Sequence, residues 1–210
     1  MRTQFVTMLT AAALIAIAPA VAQDTSASSN RKGSAERMKS ESATTVSAAD
    51  RSFATKTAQD GMAEVQLGNL AKDHASNAAV KDFGNRMVTD HTKANDQLKD
   101  WASKNNVTLP TDMDAKDKAE YDRLSKLNGD AFDKAYMRTM VSDHTKDVAA
   151  FKKESDRAHN ADLKKWVADT TPTLEDHLKQ AKDVAAQVGA TGHARHENAM
   201  SEKPEGAAKK

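Results

Sequence analysis

Residues 87–93 read Met-Val-Thr-Asp-His-Thr-Lys, and residues 140–146 read Met-Val-Ser-Asp-His-Thr-Lys. The copies lie 53 residues apart and differ only at Thr89 and Ser142. Each sits inside an apolar pattern of helical period. Around the first, Val80, Phe83, Met87, His91, Ala94, Leu98 and Trp101 recur at spacings of three and four. Around the second the series is Phe132 or Asp133, Tyr136, Met140, His144, Val148 and Phe151. A stripe of this kind is the buried face of an amphipathic helix. Both histidines are in register with it, so both are expected to face a core.

Two further long helices flank these. The first is predicted from about Ala48 to Ala75, with a stripe of Phe53, Thr57, Gly61, Glu64 or Val65, Gly68 and Ala71. A glycine inside a helix costs up to ~1 kcal/mol relative to alanine. Gly61 and Gly68 are easier to understand if another backbone or a bulky ring comes close there. The last helix follows a turn at 159–162 and carries Leu163, Trp166, Val167, Thr170, Leu174, His177, Ala181 and Val184. Pro172 inside it is expected to kink or restart the helix, with Thr171 as a cap. A shorter polar helix is predicted over 111–127, capped by Thr111. Together these elements predict an all-α fold, a ferritin-like antiparallel four-helix bundle with a short extra helix between the second and third long helices.

Rise per residue converts positions into heights. Glu64 precedes the turn at Ser76 by roughly 18 Å of helix, and His91 follows it by roughly 22 Å. His144 precedes the turn at Asn160 by roughly 24 Å, and His177 follows it by roughly 26 Å. One polar residue per helix is thus expected at mid-height, facing inward.

Two readings of this layer compete. Three imidazoles and a carboxylate suit one transition-metal ion, with Glu64, His91, His144 and His177 as ligands. Alternatively, the four form a buried polar cluster that only fixes helix packing, in a non-catalytic structural or stress-related protein. Adjacent helical residues point about 100° apart, so Asp90 and Asp143 are each expected to hold a histidine of a neighbouring helix rather than their own neighbour. A dinuclear carboxylate centre is disfavoured, because Val88, Val141 and Leu174 stand where Glu-x-x-His pairs need glutamate. His74 is expected at the surface. No nucleophile elbow or phosphate loop is present, so nothing in the motifs argues for an enzyme.

The rest of the chain speaks to compartment and partners. Arg2, the apolar run at 5–18 and Ala20-Val21-Ala22 have the form of a signal peptide over residues 1–22, which predicts export to the periplasm. That run is short for a membrane span, so none is expected after cleavage. A Ser-, Ala- and Thr-rich leader at 23–49 and a polar tail at 189–210, containing His193 and His196, are expected to lie outside the folded domain at 50–188. The 31 basic and 30 acidic residues balance, which argues against nucleic acid as a partner. The absence of cysteine removes disulfides and thiolate ligands.

Several of these residues stand in a recognisable order. Ala63-Glu64-Val65-x-Leu67-Gly68, Met87-Val88-x-Asp90-His91, Phe132-Asp133-x-Ala135-Tyr136, Met140-Val141-x-Asp143-His144 and Leu174-x-x-His177-Leu178 resemble the motifs of DUF4142, a family of unknown function. The resemblance spans about residues 50–188. It implies a ferritin-like helical fold and an exported bacterial protein, and it supplies no chemistry.

Overall fold

A computed structural model describes residues 45–191. The expected signal peptide, most of the expected leader and most of the expected tail, with His193 and His196, lie outside the described residues. Five helices follow one another: α1 (Ala48–His74), α2 (Ala78–Lys104), α3 (Ala115–Leu124), α4 (Gly129–Arg157) and α5 (Ala161–Gln187). The protein is all-helical among the described residues. No described helix is long and apolar enough to cross a membrane.

Side-chain caps set the helix starts. Ser47 and Asp50 form a reciprocal capping box at α1, and Asn77, Asp114 and Asn160 cap α2, α3 and α5. The short helix is therefore three turns long and begins after Asp114, not at Thr111. Asp114 takes the Asp117 amide at 2.9 Å, while Asp112 is occupied by the Met113 amide. At the other end of the domain Gly189 turns left-handed with φ 69°, and the Ala190 amide closes on the Ala185 carbonyl at 2.7 Å. Ala190 is buried, so the first residues of the expected tail belong to the core.

Two buried aspartates tie the helical hairpins together, each from the opposite hairpin. Asp50 of α1 accepts the His159 and Asn160 amides at 3.1 and 3.2 Å, across the α4–α5 turn. Asp133 of α4 accepts the Ser76 and Asn77 amides at 3.2 and 2.9 Å, across the α1–α2 turn. Burial opposes the Asp50 charge, but the amides of Ser47, His159 and Asn160 outweigh it and hold its pKa below the ordinary carboxylate value. Trp101 near the end of α2 donates to Asn160 at 2.9 Å. One end of the domain thus gathers the start of α1, the end of α2 and the α4–α5 turn. The other gathers the α1–α2 turn and the start of α4. Residues 105–128 carry the chain back from the first end to the second, and their helix α3 lies over α1 and α4, where Asp114 meets Lys56 at 3.0 Å.

The core is in two parts. One, at the Ser76 end, holds Leu70, Phe83, Phe132, Tyr136, Met137 and Met140. The other, at the Asn160 end, holds Leu98, Trp101, Phe151, Leu163 and Val167. At the α1–α2 contact, a Cβ on Gly68 would lie 2.7 Å from the Gly84 carbonyl oxygen, and one on Gly84 would lie 2.9 Å from the Gly68 oxygen. The expected close backbone approach is real at Gly68. At Gly61 the close neighbour is the side chain of Asn95, neither a backbone nor a ring.

Three further expectations need correction. The buried positions early in α1 are Ala54 and Ala58 rather than Phe53 and Thr57. Phe53 instead reaches sideways to Phe151, with ring centroids 5.2 Å apart. Pro172 does not restart α5, which runs unbroken through it. The Thr171 hydroxyl donates back to the Val167 carbonyl at 2.7 Å instead of capping a new helix. Ala168, whose carbonyl loses its partner to the proline, is on the exposed face, open to solvent. His74 is half-buried rather than superficial, joined to the Leu127 carbonyl at 2.8 Å and tilted on Phe132.

Candidate metal centre

Between the two core clusters lies a polar layer. His91 comes from α2, His144 from α4 and His177 from α5, and all three are buried. Their ring centroids are 5.6, 5.3 and 5.3 Å apart, and each offers a nitrogen within 4.8 Å of the others. No hydrogen bond joins the rings. His91 Nε2, His144 Nε2 and His177 Nδ1 are buried without a partner.

The outer nitrogens explain the inner ones. His144 Nδ1 donates to the Met140 carbonyl at 3.0 Å, one turn back on its own helix. That leaves Nε2 as a bare lone pair. His177 Nε2 donates to Asp90 at 2.8 Å, leaving its Nδ1 bare. Asp90 also receives Arg86 at 3.2 Å, and Arg86 reaches on to Gln180 at 2.8 Å. Burial works against the Asp90 charge, but the hydrogen bonds from His177 and Arg86 prevail and lower its pKa. The expectation that Asp90 holds a histidine of another helix is met. Asp143 does otherwise, pairing with Lys146 at 2.8 Å.

Burial keeps the imidazoles neutral. It pushes His144 down to about 4, with repulsion from His177 adding to it and the Met140 contact opposing. His91 falls well below its ordinary value through burial and the two facing rings. His177 is lowered by burial, partly offset by Asp90. Neutral rings with free lone pairs are the form that binds a metal.

Glu64 of α1 is buried but stands apart from the three-nitrogen set. It groups with His144 and Asp147, again within 4.8 Å. Its Oε1 is 3.9 Å from His144 Nδ1, too long for a hydrogen bond, and its Oε2 has no partner. Burial, then the charge of Asp147, raises its pKa well above the ordinary carboxylate value. Burial and the nearby Asp60 and Asp143 charges push Asp147 up to about 7, and burial raises Asp60 to about 6 against the pull of Lys56. Asp147 is a site residue that the apolar stripe of α4 does not single out. Its signal was available: it stands three residues after His144, hence on the same helix face.

A cavity of about 90 Å³ adjoins the layer. Its lining includes His91, His177 and Glu64 together with Phe151, Trp166 and Leu174. At ~30 Å³ each this is space for about three waters.

The profile of DUF4142, a domain of unknown function, matches residues 35–184. The chain belongs to the DUF4142 family. No curated protein matches it. Among solved structures, a candidate secreted protein of DUF305 from Streptomyces coelicolor is similar, with TM-score 0.59 and 18% identity over 69% of this chain and 95% of that one. A DUF305 fragment from Deinococcus radiodurans has TM-score 0.61 and 12% identity over 68% of this chain and 99% of the fragment. At these identities the likeness concerns the fold alone. The DUF4142 chain thus shares a helical architecture with DUF305 proteins.

Proposed function

We propose that this DUF4142 protein is an exported helical bundle that holds one divalent transition-metal ion on His91, His144 and His177, with the Glu64 carboxyl group beside His144. The observation that carries the reading is the set of three buried, unpartnered imidazole nitrogens. A polar cluster serving only as packing pairs donors with acceptors, and leaving a buried polar atom unpaired costs about 1–3 kcal/mol. Here the identified donors, His144 Nδ1 and His177 Nε2, point outward to Met140 and Asp90. A cation answers converging lone pairs. Asp90 then holds the tautomer and tilt of His177 as carboxylates do behind metal-bound histidines. Imidazole donors suit zinc, copper, iron or nickel.

A ferritin-like topology fits the return of residues 105–128 along the helices, which makes α2 and α4 parallel. Export to the periplasm, with cleavage after a signal at 1–22 and the bundle at 50–188, is supported by the form of the N-terminus.

Melting the purified chain with and without a chelator tests the metal reading. An ion present at 100 times its Kd adds about 2.7 kcal/mol to stability. The melting temperature should fall on chelation in the wild type and stay put in a His91→Ala/His144→Ala variant. A wild type indifferent to chelator would favour the alternative, a structural protein whose Glu/His layer only fixes packing.

A further inference from the structure

The carboxylates on the far side of His144 are not explained by a three-histidine centre. Glu64 and Asp147 belong at once to the cavity beside the histidines and to a second cavity, of about 750 Å³, between α1, α3 and α4. Asp60 and Lys56 line both as well. These four side chains, shared by the two linings, form a neck where the cavities meet.

Charge is distributed unevenly along this route. In the outer cavity the bases are largely matched. Lys56 pairs with Asp60 and with Asp114 at 3.0 Å, Arg123 with Glu120 at 2.5 Å, and Lys146 with Asp143 at 2.8 Å. At the neck the balance fails. Glu64 is 4% exposed with Oε2 unpartnered, and Asp147 has no hydrogen bond or ion pair. Lys56 and Lys146 draw on Asp147 only from beyond contact distance, and the buried Glu64 Oε2 has nothing to accept from, so this pair of carboxylates is under-matched in positive charge. Oxygen donors there would hold a hydrated divalent ion weakly, whereas imidazoles further in hold it firmly.

We propose that Glu64 and Asp147 form a transit site through which a divalent metal ion passes from the cavity beneath α3 to the three histidines. This rests on the three-histidine reading above. The ion exchanges water for carboxylate oxygen at the neck, then carboxylate for imidazole nitrogen around His144. Asp147 acts on the rate of loading and leaves the final complex unchanged. Asp60 and its partner Lys56 guard the outer side of the same neck.

Stopped-flow loading of the metal-free full-length chain with Co²⁺, followed by its visible absorption, tests this. In Asp147→Asn the rate should drop about tenfold or more, in line with loss of electrostatic steering, with the endpoint spectrum of the wild type. Asp147→Glu should load at the wild-type rate, and added salt should slow the wild type more than Asp147→Asn. Circular dichroism of each variant checks that it is folded. A wild-type rate in Asp147→Asn would overturn the transit site while leaving the histidine centre standing. A reduced endpoint would overturn it differently, making Asp147 a permanent ligand. Failure of the wild type itself to develop a cobalt spectrum would remove the histidine centre and the transit site together.

Discussion

The two copies of the heptapeptide carry nearly the same side chains into different surroundings. Both histidines are buried in one layer, and Met87 and Met140 are both fully buried beneath them. The aspartates then part company. Asp90, on α2 beside α5, reaches His177, whereas Asp143, on α4 beneath α3, reaches Lys146. The residue after each copy differs too: Ala94 follows the first and Asp147 the second. Both line the cavity beside the histidines, and Asp147 also lines the cavity beneath α3. A motif on a helix decides which face a side chain takes. The neighbouring helix decides what that side chain does.

The strongest way to break this contrast is to give the first copy the acid of the second. Ala94→Asp would place a carboxylate beside Phe53 and Trp166 on the cavity wall, and should destabilise by about 1–3 kcal/mol. Chemical denaturation measures it, and a loss below about 1 kcal/mol would show that the first copy tolerates a polar neck.

The two aspartates give the next largest effect. Asp90→Asn should weaken metal affinity by about 10–100-fold, because it loosens His177. Asp143→Asn should change affinity less than about twofold, since its partner is an exposed lysine. Equal effects in a competition titration would contradict the asymmetry.

Around the second copy, acidity acts on two neighbours in opposite senses. Asp147 has a folded-state pKa raised to about 7, so in the metal-free protein its ionisation costs stability as pH rises from about 4 to 7. Asp147→Asn should therefore melt higher than the wild type, with a gain that grows over that window and levels off above it. His144 runs the opposite way. Its pKa of about 4 lies below the unfolded value, so its contribution is present above pH 6.5 and is lost as pH falls towards 4. His144→Gln should close on the metal-free wild type in melting temperature across that descent. Parallel curves at all pH values would contradict both shifts.

The smallest effect concerns the one position at which the copies differ. Thr89 and Ser142 are both exposed. Exchanging them, Thr89→Ser with Ser142→Thr, should move stability by less than about 0.5 kcal/mol and leave metal affinity alone.

Much of this was legible beforehand. The stripes placed His91, His144 and His177 on inward faces, and distances from the turns put them at one height. The limit was resolution. Counting residues fixes height to about one turn, or ~5.4 Å, whereas coordination depends on bond lengths of ~2 Å. So periodicity could not tell that Glu64 falls on the far side of His144, nor which nitrogen of His177 turns inward. The start of α3 was misjudged because Thr111, Asp112 and Asp114 can all cap, and only tertiary contact with Lys56 favours the last. His74 looked superficial because its partner, the Leu127 carbonyl, is remote in sequence.

Metal content tests the central claim most directly. The untagged chain should be purified from its own compartment beside the His91→Ala/His144→Ala variant, and both subjected to elemental analysis. About one transition-metal ion per wild-type chain and none in the variant is the predicted result. The same trace level in both would contradict it.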